Sequence, residues 1–227
     1  MTFTLDEIVP WGRSYDEYVR MFALTEADLG ARILGCGDGP ASFNAEATRR
    51  SGRVVSCDPL YRFDGAAISG RIEATSRHVL EQTRANADAF VWTAIRSVEE
   101  LGAIRMTAMT QFLDDYARGR ADGRYVPAAL PHLPFEDRSF ELALCSHLLF
   151  LYSEHLDAAF HVAAAAELCR VAGEVRIFPL LSLDGRRSPW VERVRQHLTP
   201  AGLVVSLETV PYEFQRGGNQ MMHIRRR

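Results

Sequence analysis

Four residues of this 227-residue sequence have the types and spacing of a ligand site: Gly35, Gly37, Gly39 and Asp58. Glycine lacks a Cβ, so a glycine loop turns sharply and lets backbone lie against a ligand. An acid that closes the next apolar run, one helix further on, can accept the hydroxyls of a ribose. The loop Gly35-Cys36-Gly37-Asp38-Gly39 follows the run Ile33-Leu34, and Asp58 follows Val54-Val55-Ser56-Cys57, with Pro59 and Leu60 behind it. The G-x-G-x-G spacing is tighter than the dinucleotide fingerprint, whose third glycine would fall at Pro40, and no Walker lysine follows. A second chemical group, Ser146-His147, closes the apolar run Leu142–Cys145. An imidazole titrates near neutrality and can serve as a general base. The plainer reading of His147 is a hydrogen bond to a loop carbonyl or a place in the pocket wall.

These residues need strands that end together at one sheet edge. Arg32–Cys36, Ala41–Arg50 and Val54–Cys57 read as strand, helix and strand, the first half of a nucleotide-binding α/β unit. Upstream, Ser14-x-x-Glu17 is a capping box that opens a helix over 14–28, with Thr25–Leu29 turning into the first strand. From 64 to 123 the rhythm changes. Apolar residues recur at helical spacing, first Ile68, Ile72, Val79 and Leu80, then Phe90, Val91 and Ile95. A second capping box, Ser97-x-x-Glu100, precedes Leu101, Ile104, Met109, Phe112 and Tyr116. The spacing predicts a helical insertion of two or three helices after the second strand. Further on come a short strand near Arg124–Val126, a central strand over Glu141–His147, and a helix over Glu154–Val171 closed by Gly173. A strand at Glu174–Pro179, a helix opened by Ser188-Pro189, and strands near Val204–Val210 and Gln220–Ile224 complete the chain. Apolar strands between amphipathic helices predict one α/β domain over 1–227. Its doubly wound, mostly parallel sheet is covered on both faces and ends in a C-terminal antiparallel hairpin.

Composition bounds the partners. A chain that is 47% hydrophobic and 24% charged builds a full core, and a net charge of −3 supplies no broad field for nucleic acid. Arg225-Arg226-Arg227 reads as a solvated, frayed end. No apolar run approaches the ~20 residues of a membrane span. Met1–Glu7 lacks the basic start and apolar core of a secretory signal, and the four cysteines show no metal-ligand spacing. A cytoplasmic, reduced, metal-free protein is the expectation, with no membrane or nucleic-acid partner and an oligomeric state that the sequence does not set.

The glycine loop with Asp58, the Leu133-Pro134-Phe135 turn leading into Glu141–His147, and the block Glu167–Pro179 together resemble the class I S-adenosylmethionine-dependent methyltransferases over 28–64 and 124–225. The resemblance implies a Rossmann-like fold and S-adenosylmethionine as cofactor. It places Gly35, Cys36, Gly37, Asp38 and Gly39 around the amino-acid end and Asp58, Pro59 and Leu60 at the ribose, with Ser146 nearby and His147 as a candidate base. Two acids common in the family are absent: Ile33 stands two residues before the first glycine, and Ala128-Ala129-Leu130-Pro131 precedes Leu133. The leading expectation is a small-molecule methyltransferase whose acceptor pocket is covered by the insertion at 64–123. Cys145-Ser146-His147-Leu148 stands where nucleobase amino-methylases carry an Asn/Asp-Pro-Pro-Tyr/Phe tetrapeptide, which argues against DNA. A methyltransferase acting on a protein or RNA, and a cofactor-binding regulatory module without catalysis, are the alternatives. The acceptor wall has several candidates: Trp11, Arg13, Tyr15 and Tyr18 as a flap; one or two of Arg71, Arg77, Arg84, Arg96 and Arg105 as an anion clamp; Tyr212, Phe214, Arg216 and Gln220 near the final hairpin. Each set has an ordinary structural alternative, and so do His132, His155 and His161, the last of which sits among alanines.

Overall fold

The computed structural model describes residues 9–226. One seven-stranded sheet runs in the order β3-β2-β1-β4-β5-β7-β6, with β1 at Arg32–Cys36, β2 at Arg53–Cys57, β3 at Tyr125–Val126, β4 at Phe140–Ser146, β5 at Ala172–Phe178, β6 at Leu203–Thr209 and β7 at Gln220–Arg226. Strands β1 to β5 are parallel, β7 is antiparallel to β5, and β6 is antiparallel to β7. Alternate side chains of a strand point to opposite faces, so apolar runs here feed two cores. Ile33, Val54, Leu142 and Leu144 pack under helices α1 (Tyr15–Met21) and α3 (Phe43–Arg49), while Leu34, Cys36, Ala143 and Cys145 pack under α6 (Ala158–Val171) and α7 (Trp190–Leu198).

The N-terminal segment is not one helix over 14–28. The Ser14 capping box is complete and starts α1, but a second capping box, Thr25 with Asp28, starts a separate short helix α2 at Glu26–Gly30. Thr25–Leu29 therefore coils once before β1. The segment 64–123 contains two long helices, α4 (Gly65–Ala85) and α5 (Val98–Ala121). Between them Phe90 and Val91 join the 214–215 loop instead of a helix, with Val91 N–H donating to the Phe214 carbonyl at 2.8 Å. Only half of the second capping box forms: Ser97 Oγ accepts from Glu100 N–H, and the Glu100 carboxylate reaches the Arg96 amide instead. Packing of Tyr61, Ile72, Phe112, Tyr116 and Tyr125 binds the helix pair to the sheet edge. The bidentate Arg124–Asp115 pair at 2.7 and 2.8 Å closes that edge, and Arg124 also reaches Asn44 of α3.

Three further expectations are corrected. α6 begins at Ala158 behind an Asp157 N-cap, four residues later than expected, because 151–156 forms turns. Gly173 does not cap it, since the chain passes directly from α6 into β5 with Ala172 already extended. Arg225 and Arg226 are not frayed; they pair in β7 with Glu174 and Leu203. Met1–Glu7 and Arg227 lie outside the described residues. No helix among the described residues is long and apolar enough to cross a membrane.

Candidate functional site

The ends of β1, β2, β4 and β5 open into one cavity of about 780 Å³. Gly37 (φ +68°) and Gly39 (φ +52°) both take left-handed backbone, which carries the loop off β1 toward α3. The Gly37 amide donates to the Cys57 carbonyl at 2.9 Å, tying the loop to the end of β2. There Asp58 is gripped from both sides: Gly39 N–H donates to Oδ2 at 2.9 Å and Leu60 N–H to Oδ1 at 2.8 Å. Each oxygen keeps a lone pair for a ligand. Burial pushes the Asp58 carboxyl up, against those two amides.

Cys36, Gly37, Asp38, Gly39, Asp58, Pro59, Leu60, Ser146 and His147 all line this cavity, and Gly35 does not. The space beside Gly35 is filled by the Asp38 carboxylate, which folds back over the strand end. Tyr18 OH donates to Asp38 Oδ1 at 2.8 Å and Ser56 OH to Oδ2 at 2.6 Å. Ile33 and Gly35 share a face of β1. The carboxylate missing at position 33 thus has a counterpart on the same face, delivered from the loop. Burial raises Asp38 to about 6 in spite of its two hydroxyl donors. Ala128, Ala129 and Leu130 add an apolar stretch to the wall of the same cavity as Leu60.

His147 holds a left-handed backbone (φ +50°), uncommon for a residue with a side chain. Its amide donates to the Phe178 carbonyl at 2.7 Å, and its Nδ1 lies 3.0 Å from Ser146 Oγ. Nε2 has no hydrogen-bond partner among the described residues. Burial, followed by the charges of Arg13 and Arg105, holds the imidazole well below its usual range. It is therefore neutral at physiological pH. His161 is structural: its ring nitrogens sit 2.7 Å from the Asp157 and Leu149 carbonyls.

The N-terminal aromatics divide. Tyr15 and Tyr18 stack on Phe43 at 5.7 and 4.6 Å, while Trp11, Arg13 and Tyr18 reach the cavity wall. Of the insertion's arginines only Arg71 and Arg105 line the cavity, and Arg105 is 1% exposed. It forms an ion pair with Glu17, which also accepts from Tyr212 OH at 2.8 Å. Burial alone would raise Glu17, but Arg105, then Arg13 and the Ser14 amide, bring it down to about 2. This pairing was missed in the sequence, where Glu17 is legible only as half of a capping box. One signal for it exists: Arg105 stands on the apolar stripe Leu101, Met109, Phe112 at helical spacing.

No protein-family model matches the chain. Uncharacterized protein MJ0045 of Methanocaldococcus jannaschii is 31% identical over 226 residues, 98% of either chain. Among solved structures, protein PH0226 of Pyrococcus horikoshii superposes with a TM-score of 0.50 at 11% identity, covering 94% of this chain and 91% of that one. The mitomycin 7-O-methyltransferase MmcR gives 0.51 at 14% identity, covering 94% of this chain and 54% of that one. The chain belongs to the family of MJ0045, and its fold is that of the class I S-adenosylmethionine-dependent methyltransferases.

Proposed function

We propose that this protein binds S-adenosylmethionine and transfers its methyl group to a small molecule. The observation that carries the reading is Asp58, a half-buried carboxylate held by Gly39 and Leu60 amides at the rim of the 780 Å³ cavity. The residues present fit such a cofactor. Asp58 offers spare lone pairs to ribose hydroxyls, and Leu60 with Ala128–Leu130 offers an apolar slot for the adenine. Gly39 leaves open space beside Asp58 for the amino-acid end, whereas the space beside Gly37 is filled by Leu148. When bound, the cofactor supplies an electrophilic methyl on a sulfonium.

The chain's own work is alignment, desolvation and, for a protic acceptor, removal of a proton. His147 is suited to that removal in one tautomer. With Nδ1–H donating to Ser146 Oγ, the Nε2 lone pair is free, and burial, helped by the adjacent guanidiniums, keeps the ring neutral. The helices of 64–123 bring Arg71, Thr75, Val79, Leu101 and Arg105 to the cavity wall, which supports an enclosed acceptor over a macromolecular one. The net charge of −3 supports the same choice against RNA, and MmcR, which shares the fold, is named for a small-molecule acceptor.

Calorimetry with S-adenosylhomocysteine tests the first half. The wild type should bind, and Asp58→Ala should lose about 1.5–3 kcal/mol, roughly ten- to a hundredfold in affinity. Radiolabelled methyl transfer into extract fractions tests the second, with label expected in the low-molecular-weight fraction. Label in protein or RNA would overturn the small-molecule reading. Binding with no transfer to any fraction would favour a regulatory module.

A further inference from the structure

Two cationic side chains in the cavity wall exceed the anions that the protein provides for them. Arg105 comes from α5 and Arg13 from the segment before α1, and both line the cavity alongside His147 and Tyr212. Glu17 is the only carboxylate in ion-pair contact with either of them among the described residues. It is already fully engaged: Ser14 N–H at 2.9 Å, Ser14 OH at 3.1 Å, Tyr212 OH at 2.8 Å and the Arg105 guanidinium all donate to it. Among the described residues Arg13 has only the Trp11 carbonyl as acceptor. The Nε atoms of Arg13 and Arg105 are buried and find no acceptor among the described residues. Two guanidiniums against one carboxylate leave a charge of +1 in the cavity wall, with Arg105 buried and Arg13 half-buried. Such a charge is costly to bury without a partner. Burial, together with repulsion from Arg105, already pulls Arg13 down to about 10, so it still carries its proton at neutral pH.

We propose that Arg13 and Arg105 form a carboxylate-binding subsite in the cavity. A monoanion closes the local charge, whereas a phosphate dianion would exceed it. The planar guanidinium fork suits a carboxylate's two oxygens. Two ligands of the reaction proposed above, on which this inference rests, could bring that group: the methyl acceptor, or the amino-acid end of the cofactor. The subsite adjoins both groups. Arg13 and Arg105 act on His147, which meets Phe178 and through it Tyr212. Arg13 also lies beside Tyr18, the donor to Asp38, and its carbonyl accepts from Ser42 N–H at 3.0 Å, so titration assigns the carboxylate.

The test compares wild type, Arg13→Met, Arg13→Lys and the charge-balanced double variant Glu17→Gln/Arg105→Met, which leaves no buried carboxylate unpaired. S-adenosylhomocysteine and 5′-methylthioadenosine, which lacks the amino-acid end, are titrated by calorimetry. Benzoate and its neutral isostere benzamide are compared by thermal shift, on ligand-free protein and on protein loaded with S-adenosylhomocysteine. The expected result is that benzoate, and not benzamide, stabilises the wild type, that Arg13→Met weakens this about tenfold or more, and that Arg13→Lys restores part of it. A loss of about tenfold for S-adenosylhomocysteine in Arg13→Met, with 5′-methylthioadenosine unaffected, would support the subsite and assign it to the cofactor's carboxylate. Variants indistinguishable from wild type toward all four probes would overturn it. A wild type that binds neither nucleoside would defeat the proposed function alone, because benzoate on the ligand-free protein still reads the subsite.

Discussion

The Asp38 carboxylate occupies the space that a side chain at Gly35 would need: a Cβ there falls 1.8 Å from Asp38 Oδ2. Gly35→Ala must therefore expel a carboxylate that Tyr18 and Ser56 hold in place. Overpacking and the lost buried hydrogen bonds together should cost about 2 kcal/mol or more. Urea denaturation of Gly35→Ala, Asp38→Ala and the double variant checks the relationship. The double variant should be markedly more stable than the sum of the singles predicts, and plain additivity would refute the steric link.

Asp38 and Glu17 should give stability opposite pH dependences. Asp38 titrates near 6 in the folded protein against 3.8 when unfolded, so the fold binds its proton more tightly. That contribution is complete below about 3.8 and is lost as pH rises through 6. Glu17 sits near 2 against 4.5, so its contribution is complete above about 4.5 and is lost as pH falls toward 2. Asp38→Asn should gain on the wild type between pH 4 and 6, by up to about 3 kcal/mol. Glu17→Gln should flatten the acid limb instead. Thermal melts across pH 3–8 distinguish the two.

With its pKa well below 6.5, His147 stays neutral through mildly acidic solution. A rate limited by this base should hold steady as pH falls through 6.5, contrary to what an ordinary histidine would give. His147→Ala should lower turnover on a protic acceptor by ~10²–10⁴-fold while sparing cofactor affinity. Removing the charge of Arg13 should shift the acid limb of the wild-type profile upward in pH. A His147→Ala enzyme with unchanged turnover would leave alignment and desolvation as the whole mechanism.

At the β5–β7–β6 edge of the sheet His223 lies between two carboxylates: Nδ1 hydrogen-bonds Glu208 at 2.8 Å, while Nε2 is 2.8 Å from Glu174, an ion-pair distance without hydrogen-bond alignment. The ion-pair contact with Glu174, and then the bond to Glu208, raises the imidazole against its partial burial. Stability from this bridge is complete below about 6.5 and is lost as pH rises through the higher folded value. His223→Ala should therefore be more damaging at pH 6 than at pH 9. NMR titration of the ring would show whether it stays protonated past neutrality.

The strand ends were legible in the sequence because each is a local event, an apolar run stopped by glycine, acid or Ser-His. Asp58 could be found that way, and so could the helical character of 64–123. What escaped depends on distant partners. Glu17 meets Arg105 across 88 positions and Tyr212 across 195, and no periodicity within a helix encodes either meeting. Gly35 misled for a different reason. Its chemistry suggested close approach to a ligand, but the neighbour it admits is the chain's own Asp38. Gly173 carries the usual helix-stop signal, and β4 overrides it by pairing Phe140 with Ala172 at the very end of α6.

That junction between α6 and β5 works as a rigid coupling. With no loop between Val171 and Ala172, a residue inserted there has nowhere to be absorbed. β5 would slip by one position against β4, and every later side chain would exchange layers. Seven residues along, Phe178 would no longer meet the His147 ring 5.4 Å away. A length change on the distant side of the sheet would thus be delivered intact to the cavity floor, which makes this seam intolerant of insertion.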